Sequence, residues 1–481
     1  MELDRFTEIR SELSAYESAL LTSVRLDSEA LSPFHIDILR YIFSFARLTI
    51  IQDQTGEDHE VSDVLAPHRW WVQQTCRSAI NPTVNPLQLK KLLPELVART
   101  QQQRKHLLDQ FPSIDIETLE AEVCRRQLIV VSGGGGGGGY GYAGAFRRLH
   151  RNNLQPELLS GTSIGALISM FRARYRIFDQ LPIIETAKRL SWTSVFRILD
   201  MNSRYGIPAT LRLYLREALG SMFLRQDGED MTFDDCEIPL LIVVTGLSME
   251  SFKHDLSFFE HFMDDAIDDG RISRRRLLQR LGQFLSVLQE FWSNPEALNE
   301  VVFGQDPLTR GATLLDAGGF SAAVPGLIHY DILRDAPQMH ALLNTLYAEY
   351  GITRLSEGGL VNNLPVKPAL QAVINGRIKQ RNPVVLAMDC FSPQVSALGW
   401  YPIQQLVYQT NVKANADLAD VYFKLKKRLK PTMVVPSVEQ MSQAMDWTSE
   451  EISEHIPHLK DLCRSHEPLP KVILTSSLRN G

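Results

Sequence analysis

The pattern of apolar and polar positions divides the chain into a helical first part and a later region of alternating strands and helices. In residues 1–122 apolar side chains recur at helical spacing, clearly over Phe34–Ile50 and, interrupted by Pro94, over Leu87–Phe111. The pattern then changes, because Gln127–Ser132 is a short, β-branched apolar run typical of a buried strand. We therefore expect a helical N-terminal region and a second region of a different fold class.

Strands and helices alternate after this first strand. A glycine-rich loop leads to a predicted helix over Tyr142–Asn152, and a second short strand and turn lead to a helix over Ile164–Tyr175. This order is typical of βαβ units and predicts an α/β fold with a mainly parallel sheet. Further strands are predicted at Ile238–Thr245 and Val384–Met388, and a weaker one at Met433–Pro436.

Three regions follow from these elements. Residues 1–122 form the helical N-terminal region, and residues 123–395 form the α/β domain, interrupted by a charged, helical insertion at about 249–304. Residues 396–481 are predicted to be mostly helical, with helices over Pro402–Leu429 and Glu450–Cys463, and to pack on the core.

Composition excludes several classes of protein. The 50 basic and 56 acidic residues give a formal net charge of −6, so a nucleic acid is not an expected partner. The five cysteines lie far apart without a CxxC pair, which argues against a disulfide scaffold or a cysteine-rich zinc site and fits a reducing compartment. The first residues lack the apolar core of a signal peptide, and no apolar stretch reaches spanning length. We expect a cytoplasmic protein that meets membranes only from the surface.

The glycines are distributed unevenly. Seven of the 29 stand in one run, Gly133 to Gly139, between a predicted strand and a predicted helix. Such a loop lets backbone N–H groups approach a negative charge at the positive end of a helix dipole. The charge is either a phosphate or a developing oxyanion, and the alternative is a flexible linker.

A second motif favours the oxyanion. Gly161-Thr162-Ser163-Ile164-Gly165 fits G-x-S-x-G, the sharp strand-to-helix turn that exposes a serine nucleophile. It follows the glycine loop by about 25 residues. Both motifs would then lie at the carboxyl ends of parallel strands, where α/β sheets build their sites.

Three blocks resemble the signature blocks of the patatin-like phospholipases, in the order found in that family. They are SGGGGGGGYGYAGAF, GTSIGAL and EGGLVNNLPV, and the segments IPLLIVVTGL and GGFSAAVPGL are also similar. The resemblance covers roughly residues 126–248 and 305–392. It implies a three-layer α/β/α fold and a hydrolase of lipid acyl esters that needs neither cofactor nor metal.

The resemblance also implies roles for individual residues. Ser163 takes the position of the nucleophile, and Glu357 takes the position of the aspartate that serves as general base. The oxyanion would be held by backbone N–H groups of the glycine loop, at Gly134, Gly135, Gly136 and Gly137.

Two departures from the family pattern concern this site. Gly138 stands where the family carries a basic residue. Glu357 replaces aspartate, which changes the pKa little but lengthens the arm by about 1.5 Å.

Two other acids are alternatives to Glu357. Asp316 matches a non-catalytic family segment and is expected at a helix end. Asp389 ends a predicted strand and could orient a downstream histidine in an α/β-hydrolase arrangement, although these histidines read as surface residues: His455, His458 and His466. The run Asn362–Val366 supports Glu357, with its asparagines shaping the loop or serving ordinary turn chemistry.

The expected function is that of a lipid acyl hydrolase of phospholipase A, lysophospholipase or acylglycerol lipase type, acting on membrane lipid or lipid aggregates. The alternative is a catalytically degenerate relative that binds lipid or a protein partner. A dinucleotide-binding oxidoreductase is disfavoured, because its candidate acid, Glu157, precedes the second strand. The cationic stretches Tyr422–Lys430 and Arg271–Arg280 could contact anionic head groups or form solvated helix faces. The sequence identifies no protein activator.

Overall fold

The computed structural model describes residues 1–27, 31–197, 204–248, 267–268, 271–272, 289–291, 293–332, 336–394 and 401–469. The chain divides into two compact units. The first comprises Met1–Ile129, Leu370–Val385 and the chain from His455 onward, and the second comprises Val130–Ala369 and Leu386–Glu454. The division into three regions made from the sequence stays a prediction.

The first unit is built on helices. They are α1 (Leu3–Leu26), α2 (Pro33–Ala46), α3 (Ser62–Ile80), α4 (Pro86–Gln110), α5 (Ile116–Cys124) and a late helix, Ile456–Cys463. Helix α2 starts with proline in its first turn, after Ser32, whose hydroxyl accepts the N–H of His35. A short antiparallel hairpin that the pattern does not indicate joins β1 (Ile50–Gln52) to β2 (Asp58–Glu60).

A buried ionic cluster lies in the core of the first unit. The carboxylate of Glu17 is fully buried and accepts hydrogen bonds from Arg40 at 3.0 Å, Arg47 at 2.6 Å and Arg126 at 3.2 Å. Burial opposes ionisation, but the three guanidinium charges outweigh it and hold the pKa of Glu17 well below its usual range. Removing this carboxylate would leave buried cations without their counter-ion, so Glu17 belongs to the structural core.

The strands of the main sheet are β3 (Gln127–Ser132), β4 (Leu158–Thr162), β7 (Leu240–Leu247), β10 (Leu298–Phe303), β12 (Arg354–Ser356), β13 (Pro383–Asp389) and β14 (Val421–Lys424). Their order in the sheet is β10-β7-β4-β3-β13-β14, and β12 also pairs with β7. The pairs β4–β7 and β13–β14 are parallel, whereas β10 and β12 run antiparallel to β7. A smaller sheet joins β5 (Phe196–Arg197), β6 (Ala209–Leu213) and β11 (Gly326–His329), and β8 (Ile267–Asp268) pairs with β9 (Arg271–Ile272).

Helices alternate with these strands. The first are α6 (Tyr142–Arg151), α7 (Ile164–Ala173), α8 (Leu181–Arg189), α9 (Trp192–Val195) and α10 (Leu215–Leu219). Later ones span Pro307–Arg310, Leu314–Ser321, Pro337–Tyr350, Val366–Ile374, Tyr401–Val407, Lys413–Ala416 and Val438–Glu451. The predicted α/β class is confirmed. The sheet is mixed because β10 and β12 run antiparallel to β7.

Two predictions of local structure were wrong. Met433–Pro436 is irregular with a bend at its centre, not a strand, and the helix predicted over Pro402–Leu429 gives way to strand β14. Val421 and Phe423 are buried while Lys424 is exposed. Burial therefore alternates from one residue to the next, as expected of a strand. Strand β14 then pairs in parallel with β13.

Most of the predicted helical insertion falls on residues that the structure does not describe. Residues 249–288 lie outside the described residues, apart from the hairpin β8–β9, and so does most of the cationic stretch 271–280. The prediction that the insertion stays helical to about residue 304 is wrong, because Leu298–Phe303 is strand β10. Among the described residues, no helix is both long enough and apolar enough to cross a membrane.

Candidate active site

Ser163 occupies the turn between β4 and α7. Its backbone has φ 56° and ψ −128°, a region that residues with a side chain rarely adopt. A Cβ on Gly165 would overlap the carbonyl oxygen of Ser132, so only glycine fits beside the serine. Such a strained, tightly packed turn is what a strand-to-helix nucleophile elbow requires.

A second serine, Ser321, stabilises this turn through a hydrogen bond. The backbone N–H of Ser163 donates to Oγ of Ser321 at 2.8 Å, and that hydroxyl donates to the carbonyl of Val243 at 2.6 Å. The turn is thereby tied to the central strand β7. Ser321 lies within the segment GGFSAAVPGL, whose resemblance to the family gave no role for this residue.

Glu357 lies opposite the serine. It follows β12, and Oγ of Ser163 donates to its Oε2 at 3.2 Å. The Glu357 backbone is fixed by its N–H to the carbonyl of Ala323 at 2.9 Å and by Thr245 Oγ1, which donates to its carbonyl at 2.7 Å. The extra methylene of glutamate is therefore accommodated at a contact distance suitable for proton transfer.

Burial dominates the electrostatics of Glu357. Loss of solvent raises the pKa of this carboxyl to about 8, although the hydroxyl of Ser163 and the N–H of Gly359 lower it by stabilising the charged form. A carboxylate with this pKa is a stronger base than an ordinary glutamate, so its proton affinity suits a general base near neutral pH.

The glycine loop packs closely against other backbone segments. The N–H of Gly134 donates to the carbonyl of Asn363 at 3.1 Å, and that of Gly137 donates to the carbonyl of Pro431 at 3.1 Å. Gly135 and Gly136 both have positive φ, at 155° and 55°, and no acceptor for either amide is found among the described residues. Of the four amides expected to hold the oxyanion, two are thus engaged elsewhere.

The space beside Gly138 is occupied by a cationic residue from another part of the chain. A Cβ on Gly138 would lie 3.5 Å from Cδ of Arg428. The guanidinium of Arg428 donates to Oγ of Ser392 at 3.0 Å and to the carbonyl of Leu425 at 3.3 Å. The aliphatic part of an arginine from the stretch Tyr422–Lys430 therefore lies beside the position where the family carries a basic residue, and its guanidinium is held by Ser392 and Leu425.

Asparagines connect the loop of Glu357 to the glycine loop. Asn363 accepts the N–H of Gly134 through its carbonyl, and its own Nδ2 donates back to the carbonyl of Gly134 at 3.4 Å. Asn411 in turn accepts the N–H of Asn363 at 3.1 Å and donates to the carbonyl of Gly359 at 3.1 Å. Asn411 therefore holds the loop of Glu357 at two points, one of which is Asn363, the residue that contacts the glycine loop.

Asn411 lies in a single π-helical turn, Tyr408–Val412. Such turns are rare and widen the helix locally. No local pattern in the sequence points to Asn411, because its hydrogen-bond partners are 48 and 52 positions away. The other asparagine of the motif, Asn362, donates to Glu300 on β10 at 2.7 Å, and its carbonyl accepts the hydroxyl of Thr162 at 2.8 Å.

The competing acids have other partners. Asp316 lies in the first turn of the helix Leu314–Ser321, as expected of a helix end, and accepts hydrogen bonds from Arg216 at 2.9 Å and Tyr330 at 2.6 Å. Asp389 accepts from the hydroxyl of Tyr422 at 2.6 Å and from the N–H of Phe391 at 2.7 Å.

The three candidate histidines belong to the first unit. His466 was predicted to lie at the surface, but it is buried. Its backbone N–H donates to the backbone carbonyl of Cys124. His458 lies within 2.8 Å of the hydroxyl of Ser18, and His455 precedes the helix Ile456–Cys463. Glu157, the acid considered for a dinucleotide site, precedes β4 and pairs with Arg176 at 3.1 Å.

An apolar cavity opens at the two candidate catalytic side chains. It has a volume of about 270 Å³ and is lined at one place by Ser163, Glu357, Gly135 and Gly136. Most of the remaining lining is aliphatic or aromatic. Part of it comes from the chain between α7 and α10, including Leu167, Ile168, Phe171, Ile183, Leu190, Trp192, Phe196, Leu211, Leu213 and Leu219. The arrangement brings a nucleophile, a base and two backbone amides to the edge of a space suited to a hydrocarbon chain.

One group of side chains among the described residues has metal-ligand chemistry. Asp53, Glu57 and His59 lie together in the β1–β2 hairpin. The Asp53 carboxylate already accepts hydrogen bonds from Thr55 at 2.6 Å and from His59 at 2.8 Å. These hydrogen bonds within the hairpin account for the position of the Asp53 carboxylate.

Comparison with known proteins gives the class of the chain. The family model of the patatin-like phospholipases matches residues 129–370, slightly more than half of the chain. The chain belongs to the patatin-like phospholipase family, and its mixed sheet with surrounding helices is the patatin fold. Family membership supports a lipid acyl hydrolase in general.

Two further comparisons add little detail. No curated protein matches the chain. Among solved structures, VipD from Legionella pneumophila is similar over 69% of this chain and 67% of its own, with 14% identity and a TM-score of 0.30.

Proposed function

We propose that the protein is a serine-dependent lipid acyl hydrolase of phospholipase A, lysophospholipase or acylglycerol lipase type. The observation that carries the proposal is the 3.2 Å contact between Ser163 Oγ and Glu357 Oε2 at the edge of an apolar cavity. The substrate is a fatty-acyl ester of a membrane lipid or lipid aggregate, reached from the membrane surface.

In the first half of the reaction, Glu357 takes the proton of the Ser163 hydroxyl while Oγ attacks the ester carbonyl carbon. The carbonyl π electrons move onto the oxygen, and the N–H groups of Gly135 and Gly136 stabilise the resulting oxyanion. The intermediate collapses, the C–O bond to the alcohol breaks, and the alcohol leaves with the proton from Glu357. An acyl-enzyme remains on Ser163.

In the second half, Glu357 accepts a proton from water as the water oxygen attacks the acyl-enzyme. The oxyanion forms again at the glycine loop, the bond to Oγ breaks, and Ser163 recovers its proton from Glu357. The fatty acid leaves through the apolar cavity. Neither a metal nor a cofactor has a place in this scheme.

A degenerate, non-catalytic relative that binds lipid or a partner is the second candidate. It is favoured by the glutamate in place of aspartate and by the glycine in place of the loop cation. It is also favoured by the raised pKa of Glu357, which leaves much of this carboxyl protonated at pH 7.

A lipid-hydrolysis panel separates the two candidates. Wild type, Ser163→Ala, Glu357→Gln and Glu357→Asp are incubated with phospholipid, lysophospholipid and acylglycerol, and released fatty acid is quantified. The proposal predicts activity in wild type only, because aspartate is about 1.5 Å too short to keep the 3.2 Å contact. Activity that appears only in Glu357→Asp would establish the degenerate alternative instead.

A further inference from the structure

A buried tyrosine hydroxyl contacts the start of the glycine loop. Tyr142 is fully buried and begins helix α6, directly after the glycine-rich segment. Its hydroxyl lies 3.0 Å from the carbonyl oxygens of both Gly133 and Met388, and it accepts the N–H of Cys390 at 2.9 Å. A phenolic hydroxyl has one proton, so the two carbonyls share it. The hydroxyl therefore connects the first glycine of the run to the end of strand β13.

This hydroxyl fixes the peptide that precedes the proposed oxyanion amides. The carbonyl of Gly133 and the N–H of Gly134 belong to one planar peptide group. Tyr142 holds its carbonyl end, and the carbonyl of Asn363 accepts its N–H at 3.1 Å. The next peptide carries the N–H of Gly135, and its carbonyl accepts a longer hydrogen bond of 3.4 Å from Asn363 Nδ2. The direction of the Gly135 N–H therefore depends on the peptide that Tyr142 fixes.

The same part of the loop contacts the nucleophile turn. A Cβ on Gly165 would lie 2.6 Å from the carbonyl oxygen of Gly133, and a Cβ on Gly134 would lie 3.1 Å from Cβ of Ser163. The carbonyl that Tyr142 binds is thus packed against the turn that carries the serine. A change in its direction would move the loop amides relative to Ser163 Oγ, and a displacement of ~1 Å can cost about 100-fold in rate.

The Tyr142 hydroxyl keeps its proton while the proposed base titrates. Burial raises the pKa of Tyr142 well above its ordinary value, whereas the pKa of Glu357 is raised to about 8. The hydroxyl is therefore a neutral donor over the pH range in which Glu357 gains its charge. Its contact with the loop supplies position and no proton.

We propose that Tyr142 is a positioning residue of the oxyanion hole, whose hydroxyl fixes the direction of the glycine-loop amides relative to the end of β13. This role rests on the proposed function, because an oxyanion forms only when Ser163 attacks an ester. Tyr142 acts through the loop and is not among the residues that line the cavity. Its effect concerns the transition state, where the negative charge develops, and not the binding of an uncharged ester.

A pair of Tyr→Phe variants tests the proposal. Tyr142→Phe removes only the hydroxyl and keeps the ring that fills the core. The matched control is Tyr205→Phe in the same unit, which removes a similarly buried hydroxyl that lies 3.0 Å from Nδ1 of His340 and 3.0 Å from Oδ1 of Asn344. Both variants lose buried hydrogen bonds, so both should melt at a lower temperature than wild type. Rates on a soluble, uncharged short-chain ester between pH 6 and 9 then give kcat and KM separately.

Tyr142→Phe should lower kcat about 10- to 100-fold at unchanged KM, whereas Tyr205→Phe should keep the wild-type kcat. The activity of Tyr142→Phe should rise with pH over the same range as that of wild type, because the surroundings of Glu357 are unchanged. A wild-type kcat in Tyr142→Phe would overturn the proposal. So would an equal loss in both variants, a change in KM alone or a shifted pH profile, because each of these indicates a general structural effect.

Hydrogen–deuterium exchange separates this proposal from the proposed function, because it needs no turnover. Peptides that span residues 133–142 should exchange roughly tenfold faster in Tyr142→Phe than in wild type or Tyr205→Phe, while exchange in the rest of the chain shows that the variant is folded. If wild type hydrolyses no ester but shows this difference, the hydrolase is refuted and the control of the loop by Tyr142 stands. Unchanged exchange in the loop would overturn the positioning role, whether or not wild type is active.

Discussion

The raised pKa of Glu357 gives the proposed reaction a distinctive dependence on pH. Burial moves this pKa to about 8, and only the ionised carboxylate can accept the Ser163 proton. With that pKa, about 1% of the carboxylate is ionised at pH 6, about 10% at pH 7 and about half at pH 8. The value of kcat/KM should therefore rise almost tenfold from pH 6 to 7, about fivefold from pH 7 to 8, and then level off.

An ordinary glutamate predicts a different curve. A carboxyl of pKa ~4.3 is fully ionised from pH 6 upward, so kcat/KM would stay flat across that range. The rise in activity with pH is thus the signature of a desolvated base, since an acid with a raised pKa gains its charged form only at higher pH.

The assay uses an ester without titrating groups and quantifies the released acid by chromatography. The pH profile of kcat/KM reports the free enzyme, which is the state that the structure describes. A curve that is flat between pH 6 and 9, with its break near pH 4 to 5, would show that the buried environment of Glu357 does not control the reaction.

Three further predictions concern the surroundings of the dyad. Phe171→Ala should shift the preference toward esters of longer acyl chains, because this ring lines the cavity and its centroid lies 5.0 Å from that of Phe223. The measurement is kcat/KM for esters from butyrate to palmitate, and an unchanged preference would refute the prediction. Asn411→Ala should lower kcat by about 10- to 100-fold with little change in KM, since the loop of Glu357 loses two hydrogen bonds; a pure KM effect would contradict this role. Gly136→Ala should abolish activity and lower the melting temperature, because its Cβ would overlap the carbonyl of Pro431; a fully active, stable variant would argue against an ordered loop.

Those parts of the site that depend on local pattern could be predicted from the sequence. The turn around Ser163 was predictable because a strand, a G-x-S-x-G motif and a helix are contiguous, and the structure has this turn. Glu357 came from the resemblance of its block alone, and its 3.2 Å contact with Ser163 joins residues 194 positions apart.

The parts that sequence reasoning missed depend on long-range packing. Asn411 and Ser321 act through hydrogen bonds to distant backbone groups, which leave no periodic trace in the sequence. Strand β14 was mistaken for helix because its alternation is only four residues long and is continued by LKKRLK, which reads equally well as helix. The glycine run suggested flexibility, but the backbone carbonyls of residues 430, 431 and 433 lie too close to Gly136 and Gly137 for any side chain.

The central claim is that Ser163 is the nucleophile. The most direct measurement is labelling of the full-length chain with a fluorophosphonate probe, followed by mass-spectrometric mapping of the modified peptide. We predict a single adduct on Ser163 that is lost in Ser163→Ala and reduced in Glu357→Gln. An adduct on another residue, or undiminished labelling of Ser163→Ala, would contradict the account.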